Sequence, residues 1–469
     1  MAMDAKKRWI LFSGLTSFFL SIAMLYQMSP FFQMYAQKTA GASAGTVGLI
    51  FAVLPTASFI FAVPAAKFVA RAGPRLALAS GLFVLAISSL LFGLSDSVAG
   101  WVTWRFVQGA ANAPICSAIA CLFANTFSGP GEFPWVNSLQ EAMANIGFAV
   151  GPMLGGFLFQ WGGFFAPFAV SGFGHLLFVL LSVCTPDRAG EADDKEQALV
   201  EPEAVAHLSV RDVLFGEIVM VIPAGIIIPG IFGALDPVLA KHFVACLGEV
   251  DPSTVGTIIA IPAVPSTLLA LVVPKLMDKY TADRVMTIGV ILLAACSICL
   301  GLSDPDSQQS LGWALPLPRG SSAQWVVQVA ISIALGTSSA LGWTPVLPDM
   351  MEKAVARVSQ RRGVSREVAT AMVSPAIVAL FNGAAAIGEA AGPILGGMLI
   401  SSLGFGLTYV VLGGLFAAYA IALVCVPMPH QMEDVSPGKL HIATKLRAAV
   451  SYGELGSSSP VRRGRVTSL

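Results

Sequence analysis

Five ionisable side chains stand in strongly apolar surroundings: Arg105, Glu141, Glu217, Asp236 and Glu389. A charge at bilayer depth is costly, so such groups face a cavity or a partner and mark substrate or ion paths. Arg105 has two candidate partners, either Glu141 or Gln108 together with backbone carbonyls. Glu141 can carry a proton, hold a cation or neutralise Arg105. Asp236 precedes Pro237, where it caps a helical segment after a break or offers a carboxylate to a cationic substrate. Glu389 lies between Gly388 and Gly392-Pro393, among small residues that helices can approach closely. It reads as a proton or cation site, with pairing to a distant basic residue as the alternative. Glu217 reads as interfacial. His242 is placed at the non-cytosolic surface, where it either senses pH or stays idle.

The same search yields no enzyme. No nucleophile–base pair converges, and no phosphate-binding loop of the G-x-x-x-x-G-K-S/T type is present, so nucleotide drive is excluded. The five histidines are dispersed without zinc spacing, and no metal or cofactor is expected. Cys296 and Cys299 have C-x-x-C spacing, but without a second pair or a nearby histidine they read as one face of an apolar helix.

What positions the charged groups is a set of long apolar runs. Of 469 residues 55% are hydrophobic and 12% charged, against about 25% charged in a soluble domain. Net charge is zero, which excludes a basic surface for nucleic acid. A spanning helix needs about 20 apolar residues, and twelve runs qualify: 9–35, 44–67, 75–95, 99–123, 133–160, 164–185, 213–240, 253–274, 284–303, 323–348, 369–401 and 406–427. The fold expected is an all-α membrane protein of twelve transmembrane helices in two six-helix bundles, residues 1–187 and 213–428. An acidic cytosolic linker, 188–212, joins them, and 429–469 is a flexible cytosolic tail. With twelve spans both termini share a side. Seventeen Lys and Arg lie in loops on that side and three on the other, which puts the termini in the cytosol.

The two halves repeat each other. Gly147-x-x-x-Gly151-Pro152-x-x-Gly155-Gly156 in the fifth run matches Gly388-x-x-x-Gly392-Pro393-x-x-Gly396-Gly397 in the eleventh, 241 residues on. Small residues at spacing four permit close backbone packing, and a proline beside glycines permits a bend. The pattern therefore reads as packing combined with hinge-like gating. A basic loop follows the second run of each half, Ala66 to Arg75 and Pro274 to Arg284, 208 residues apart. Asp278 in the second loop can pair with a basic residue or cap a helix, latching one conformation. Repeated bundles of this kind place a transport path between the halves.

Several segments resemble the major facilitator superfamily. Trp104-Arg105-Phe-Val-Gln108-Gly109-Ala-Ala-Asn112-Ala113 is similar to its fourth-helix motif, Gly147 to Gly156 to its fifth-helix antiporter motif, and Pro274 to Arg284 to its cytosolic loop motif. Ser29-Pro30-Phe31-Phe32, Gly162 to Phe168 and Leu235-Asp236-Pro237 through His242 are similar to the vesicular amine transporter family, particularly its polyamine-associated branch. The sequence departs from the vesicular monoamine carriers in lacking acids in its first and tenth helices and in having Asn382 near an eleventh-helix acid position. Ala70 stands where the loop motif usually has Asp. The resemblance implies proton coupling or gating for Arg105, beside which Glu141 and Glu389 are read from their own apolar surroundings as proton sites, and it implies a cavity lined by helices one, four, seven and ten. Tyr26, Gln27, Asn112, Asp236 and Trp343 are then candidate substrate contacts, and Asn382 of the eleventh run is added to them. It implies a monomeric secondary active antiporter in a vesicle, vacuolar or plasma membrane. Its small-molecule substrate is an organic cation such as an amine or polyamine, and its coupling ion is the proton. A carrier of a neutral or anionic solute, or a receptor that kept the fold without transporting, is the alternative.

Overall fold

The computed structural model describes residues 4–127, 132–183, 208–305, 307, 315 and 317–425, and helix is the regular secondary structure found there. The 429–469 tail and most of the 188–212 linker lie outside the described residues. Among the described residues, twelve helical segments are long and apolar enough to cross a bilayer.

The first half comprises α1 (Ala5–Tyr26), α2 (Phe32–Ala40), α3 (Ala44–Ala72), α4 (Pro74–Gly93), α5 (Val98–Thr126), α6 (Glu132–Gly162) and α7 (Phe165–Val183). A one-turn helix, α8 (Val210–Val213), precedes the second half. Its Asp212 carboxylate accepts from the Ser209 hydroxyl at 2.7 Å and the Ser209 N–H at 2.9 Å, and these bonds hold that carboxyl below the ordinary carboxylate range. The second half comprises α9 (Gly216–Leu235), α10 (Leu239–Leu247), α11 (Pro252–Ala260), α12 (Ala263–Ala270), α13 (Val273–Lys279), α14 (Ala282–Leu302), α15 (Ser322–Trp343), α16 (Val346–Arg362), α17 (Arg366–Leu403) and α18 (Phe405–Cys425).

Proline divides several runs that apolarity alone presents as continuous. The first run breaks between Tyr26 and Phe32, around Ser29-Pro30, and the seventh between Leu235 and Leu239, around Asp236-Pro237. The eighth breaks at Ile261-Pro262 and again before Pro274, and the tenth continues past Pro345 as α16. Proline has no N–H to donate and its ring crowds the preceding turn, so the ladder is interrupted there. The first two breaks are equivalent, 207 residues apart, and each is followed by a nine-residue helix ending at a positive-φ glycine, Gly41 (φ 62°) or Gly248 (φ 88°). By contrast α6 and α17 run unbroken through Pro152 and Pro393.

Each half has its own apolar core. In the first, one cluster around Leu82, Ile115, Ile119 and Phe123 joins α1, α4 and α5. A second, aromatic cluster of Phe31, Phe32, Phe92, Trp101, Phe164 and Phe168 fills the end where α2 sits. The principal contacts between the halves are α3 on α17 and α6 on α11. Both involve the ends of those helices remote from the chain's termini.

Candidate functional site

A cavity of about 390 Å³ lies between the halves, on the terminal side of that contact zone. The first half contributes Tyr26, Arg105, Glu141 and Phe148; the second contributes Phe232, Asp236, Trp343 and Glu389. The two broken spans explain part of this arrangement. Tyr26 is the last residue of α1 and Asp236 the C-cap of α9, so both side chains stand where helical backbone stops between the halves. Glu141 and Glu389 present their carboxyl groups to the open space, and Asp236 is half-buried. The Ser29 hydroxyl donates to the Tyr26 carbonyl at 2.8 Å and stands near Asp236 of the other half.

Arg105 takes the second of its two candidate sets of partners. It is 2% exposed and donates to Gln108 Oε1 at 3.1 Å, to the Leu25 carbonyl at 3.4 Å and to Met28 Sδ. The rings of Phe92 and Phe51 lie 5.3 and 6.0 Å from its guanidinium carbon. No carboxylate among the described residues comes within ion-pair distance, so an Arg105–Glu141 pair is absent from this conformation. Its field still reaches Asp236 without contact.

The structure therefore brings together Tyr26, Arg105, Glu141, Asp236, Trp343 and Glu389 and leaves three candidates outside the cavity wall. Gln27, one position beyond Tyr26, turns away and donates to Ser171 Oγ at 3.1 Å, buried against α7. Asn112 is half-buried beside Cys116. The exposed Asn382 follows Phe381, whose ring packs 4.6 Å from Trp343. Beside the aromatic candidates Tyr26 and Trp343, two phenylalanines not among the sequence candidates line the cavity, Phe148 and Phe232. Phe148 meets Tyr26 edge-on at 4.7 Å and Phe232 at 6.0 Å. A helical wheel carries a signal for both. Phe148 adjoins Gly147 of the repeated motif, and Phe232 stands one turn before Asp236.

The glycine motifs occupy equivalent helices. Gly147, Gly151 and Gly155 face the backbone of α1 and its C-cap at Phe19, Ala23 and Gln27; Gly388, Gly392 and Gly396 face α9 at Ile226, Gly230 and Ala234. The last glycine of each set points into the other half, Gly156 onto Pro252 and Gly397 onto Ala44. Opposite them, Gly256 lies on the Pro152 carbonyl and Gly48 on the Pro393 carbonyl. Each seam also carries a polar tie: Ser253 donates to Gln160 Oε1 at 2.7 Å, and the Gly45 N–H to Ser401 Oγ at 3.1 Å. The exposed Asp278 makes no ion pair among the described residues. The charges at that end pair elsewhere, Lys353 with Asp283 and Asp349, and Arg357 with Glu217 at 3.3 Å. His242, placed at the surface from sequence, is buried at 2% exposure.

A family model described as Major Facilitator Superfamily matches residues 11–363. The chain is 27% identical over 400 residues to the MFS-type transporter SLC18B1 of Rattus norvegicus, covering 82% of this chain and 79% of that protein. It is 25% identical over 387 residues to the protein of that name from Homo sapiens, covering 81% and 77%. Among solved structures, the nucleoside transporter NupG (D323A mutant) superposes with a TM-score of 0.65 at 12% identity, covering 88% of this chain and 99% of that one, a likeness of fold.

Proposed function

The chain belongs to the Major Facilitator Superfamily and is a secondary active membrane carrier of a small solute, not an enzyme, and from that premise we propose that its cargo is an organic cation, an amine or polyamine, exchanged for protons. The observation that carries this reading is the convergence of Glu141, Asp236 and Glu389 on one cavity shared by both halves. The one arginine in its wall is tied to Gln108, Leu25 and Met28 rather than to any of the three. Three carboxyl groups beside the rings of Tyr26, Phe148, Phe232 and Trp343 suit an ammonium group, which gains from both the negative charge and the ring faces. A neutral or anionic cargo would leave those carboxylates desolvated without a counter-charge.

In the cycle, the halves rock about the cavity and expose it to each side in turn. Protons and the cation compete for the same acids, so occupancy by one expels the other. Arg105 holds the break of the first span through the Leu25 carbonyl and adds a fixed positive field near Asp236. The positive-inside asymmetry supports cytosolic termini, and an acidified vesicle or vacuole supplies the gradient such exchange requires. The chain acts as a monomer in this reading.

The test is uptake of radiolabelled monoamines, polyamines, nucleosides and organic anions into proteoliposomes, with and without an imposed pH gradient. Gradient-stimulated uptake of a cation is expected. Glu389→Gln should lower the gradient-dependent rate at least tenfold while the protein remains monodisperse. Uptake confined to neutral or anionic solutes would overturn the cargo assignment, and unchanged gradient dependence in the variant would overturn the role of Glu389.

A further inference from the structure

Away from the transport cavity, the second half buries a second cluster of chemically competent side chains. His242 and Cys246 stand one turn apart on α10, and Asp304 follows the end of α14. They are 2%, 0% and 4% exposed, and their ligand atoms all lie within 4.8 Å of one another. Gln328 of α15, 1% exposed, closes the fourth side. Three elements distant in sequence thus meet at a nitrogen, a sulfur and a carboxylate oxygen.

We propose that His242 Nδ1, Cys246 Sγ and Asp304 Oδ1 form a structural site for a divalent cation of borderline softness, with zinc as its type. The spacing supports this. Around a tetrahedral zinc with ordinary bond lengths, nitrogen and oxygen ligands are about 3.3 Å apart and nitrogen and sulfur about 3.6 Å. The distances from Nδ1 are 3.1 Å to Asp304 Oδ1 and 3.7 Å to Cys246 Sγ; the sulfur also lies 3.4 Å from Nε2, beside the ring, so a metal on Nδ1 draws the Cys246 side chain round toward Asp304. The surroundings fit as well. Ligation through Nδ1 requires the proton on Nε2, and Gln328 Oε1 lies 3.3 Å from Nε2, where it accepts that proton and holds the tautomer. The Gln328 amide nitrogen is in turn held by Ser303 Oγ at 3.0 Å, and the Phe405 ring stacks on the imidazole at 4.1 Å. As it stands, Asp304 Oδ1 faces Nδ1 and Gln328 Oε1 faces Nε2, a pair of contacts that an ion pair with Asp304 or a metal at Nδ1 satisfies equally, and the metal content tells the two apart. Thiolate and carboxylate together neutralise a divalent ion, and binding releases the thiol proton. The site would clamp α10 to α14 and α15 at the end where the two halves meet.

The experiment uses the full chain purified in detergent. Elemental analysis is expected to find about one zinc per chain after expression with zinc. Exchange for cobalt(II) should produce the thiolate-to-cobalt charge-transfer band. Cys246→Ser should abolish that band, and Gln328→Ala should weaken metal affinity about tenfold or more. Substoichiometric metal with no charge-transfer band in the unmodified chain would overturn the proposal, as would a band that survives Cys246→Ser. If Cys246→Ser fails to fold, the cobalt spectrum of the unmodified chain decides alone. None of these readouts depends on transport or on the identity of the cargo.

Discussion

Lys353 places one ammonium between two carboxylates, 2.5 Å from Asp283 and 2.6 Å from Asp349. The lysine is 15% exposed and its partners 22% and 7%, so little solvent screens them. Removing the cation alone leaves two like charges close together in a poorly solvated place, a larger effect than the net value of the pairs. Lys353→Met is expected to destabilise the second half by about 3 kcal/mol. The combination with Asp283→Asn and Asp349→Asn should recover most of that loss, because no unpaired charge remains. Thermal unfolding of the detergent-solubilised variants tests this; a triple variant no more stable than the single one would disprove it. Residue pairs of this kind were not legible in the sequence. Asp349 and Lys353 share a helical face, but Asp283 comes from a helix seventy residues away, and apolar periodicity does not say which helices adjoin. For the same reason the sequence offers Arg105 two sets of partners, and only the fold brings Leu25 at the end of α1 and Met28 in the break after it against the guanidinium. Likewise His242 is not paired from sequence with Cys246 one turn on, and Asp304 is supplied only by the fold.

At the scale of elements, the glycines of the repeated motif present surfaces for close backbone packing. A β-carbon on Gly48 would run into the Pro393 carbonyl, and one on Gly256 into the Pro152 carbonyl, in each case across the boundary between halves. Backbone on both sides leaves no flexible side chain to yield, so the seam itself must open. Overpacking of this kind costs about 1–3 kcal/mol, and here the cost falls on the sealed conformation alone. Gly48→Ala and Gly256→Ala are each expected to slow transport about tenfold with little loss of thermal stability, since each half keeps its own core. Gly174, with nothing near its missing β-carbon, provides the control: Gly174→Ala should transport normally. Equal effects at all three positions would show that the seams carry no special role. The repeat that places these glycines was readable directly, because spacing four on a helix is a property of the local sequence. The ends of the runs were less so. Pro30 and Pro237 lie inside long apolar stretches, and hydropathy does not register a missing N–H.

Over the whole molecule, these seams decide which side of the cavity is closed. The contacts of Gly45 and Gly48 with Pro393 to Ser401, and of Pro152 to Gln160 with Pro252 to Gly256, all lie at the end remote from the termini. Tyr26 and Asp236, at the breaks of α1 and α9, roof the cavity just beneath them. The two seams are related by the internal repeat, so a rocking motion that parts one parts the other. A tether across either seam should therefore hold the carrier in this conformation. Ser253 and Gln160 already touch at 2.7 Å. Replacing both by cysteine and joining them with a short bifunctional thiol reagent is expected to reduce uptake at least tenfold, and cleavage of the link should restore it. Each single cysteine variant, treated identically, should retain its rate. A cation should still bind the tethered protein from the terminal side, because the cavity lies on that side of the link and its acids are untouched. Transport that continued at its ordinary rate through a fully tethered seam would mean that the halves do not part there, and the path would have to run through one bundle instead of between the two.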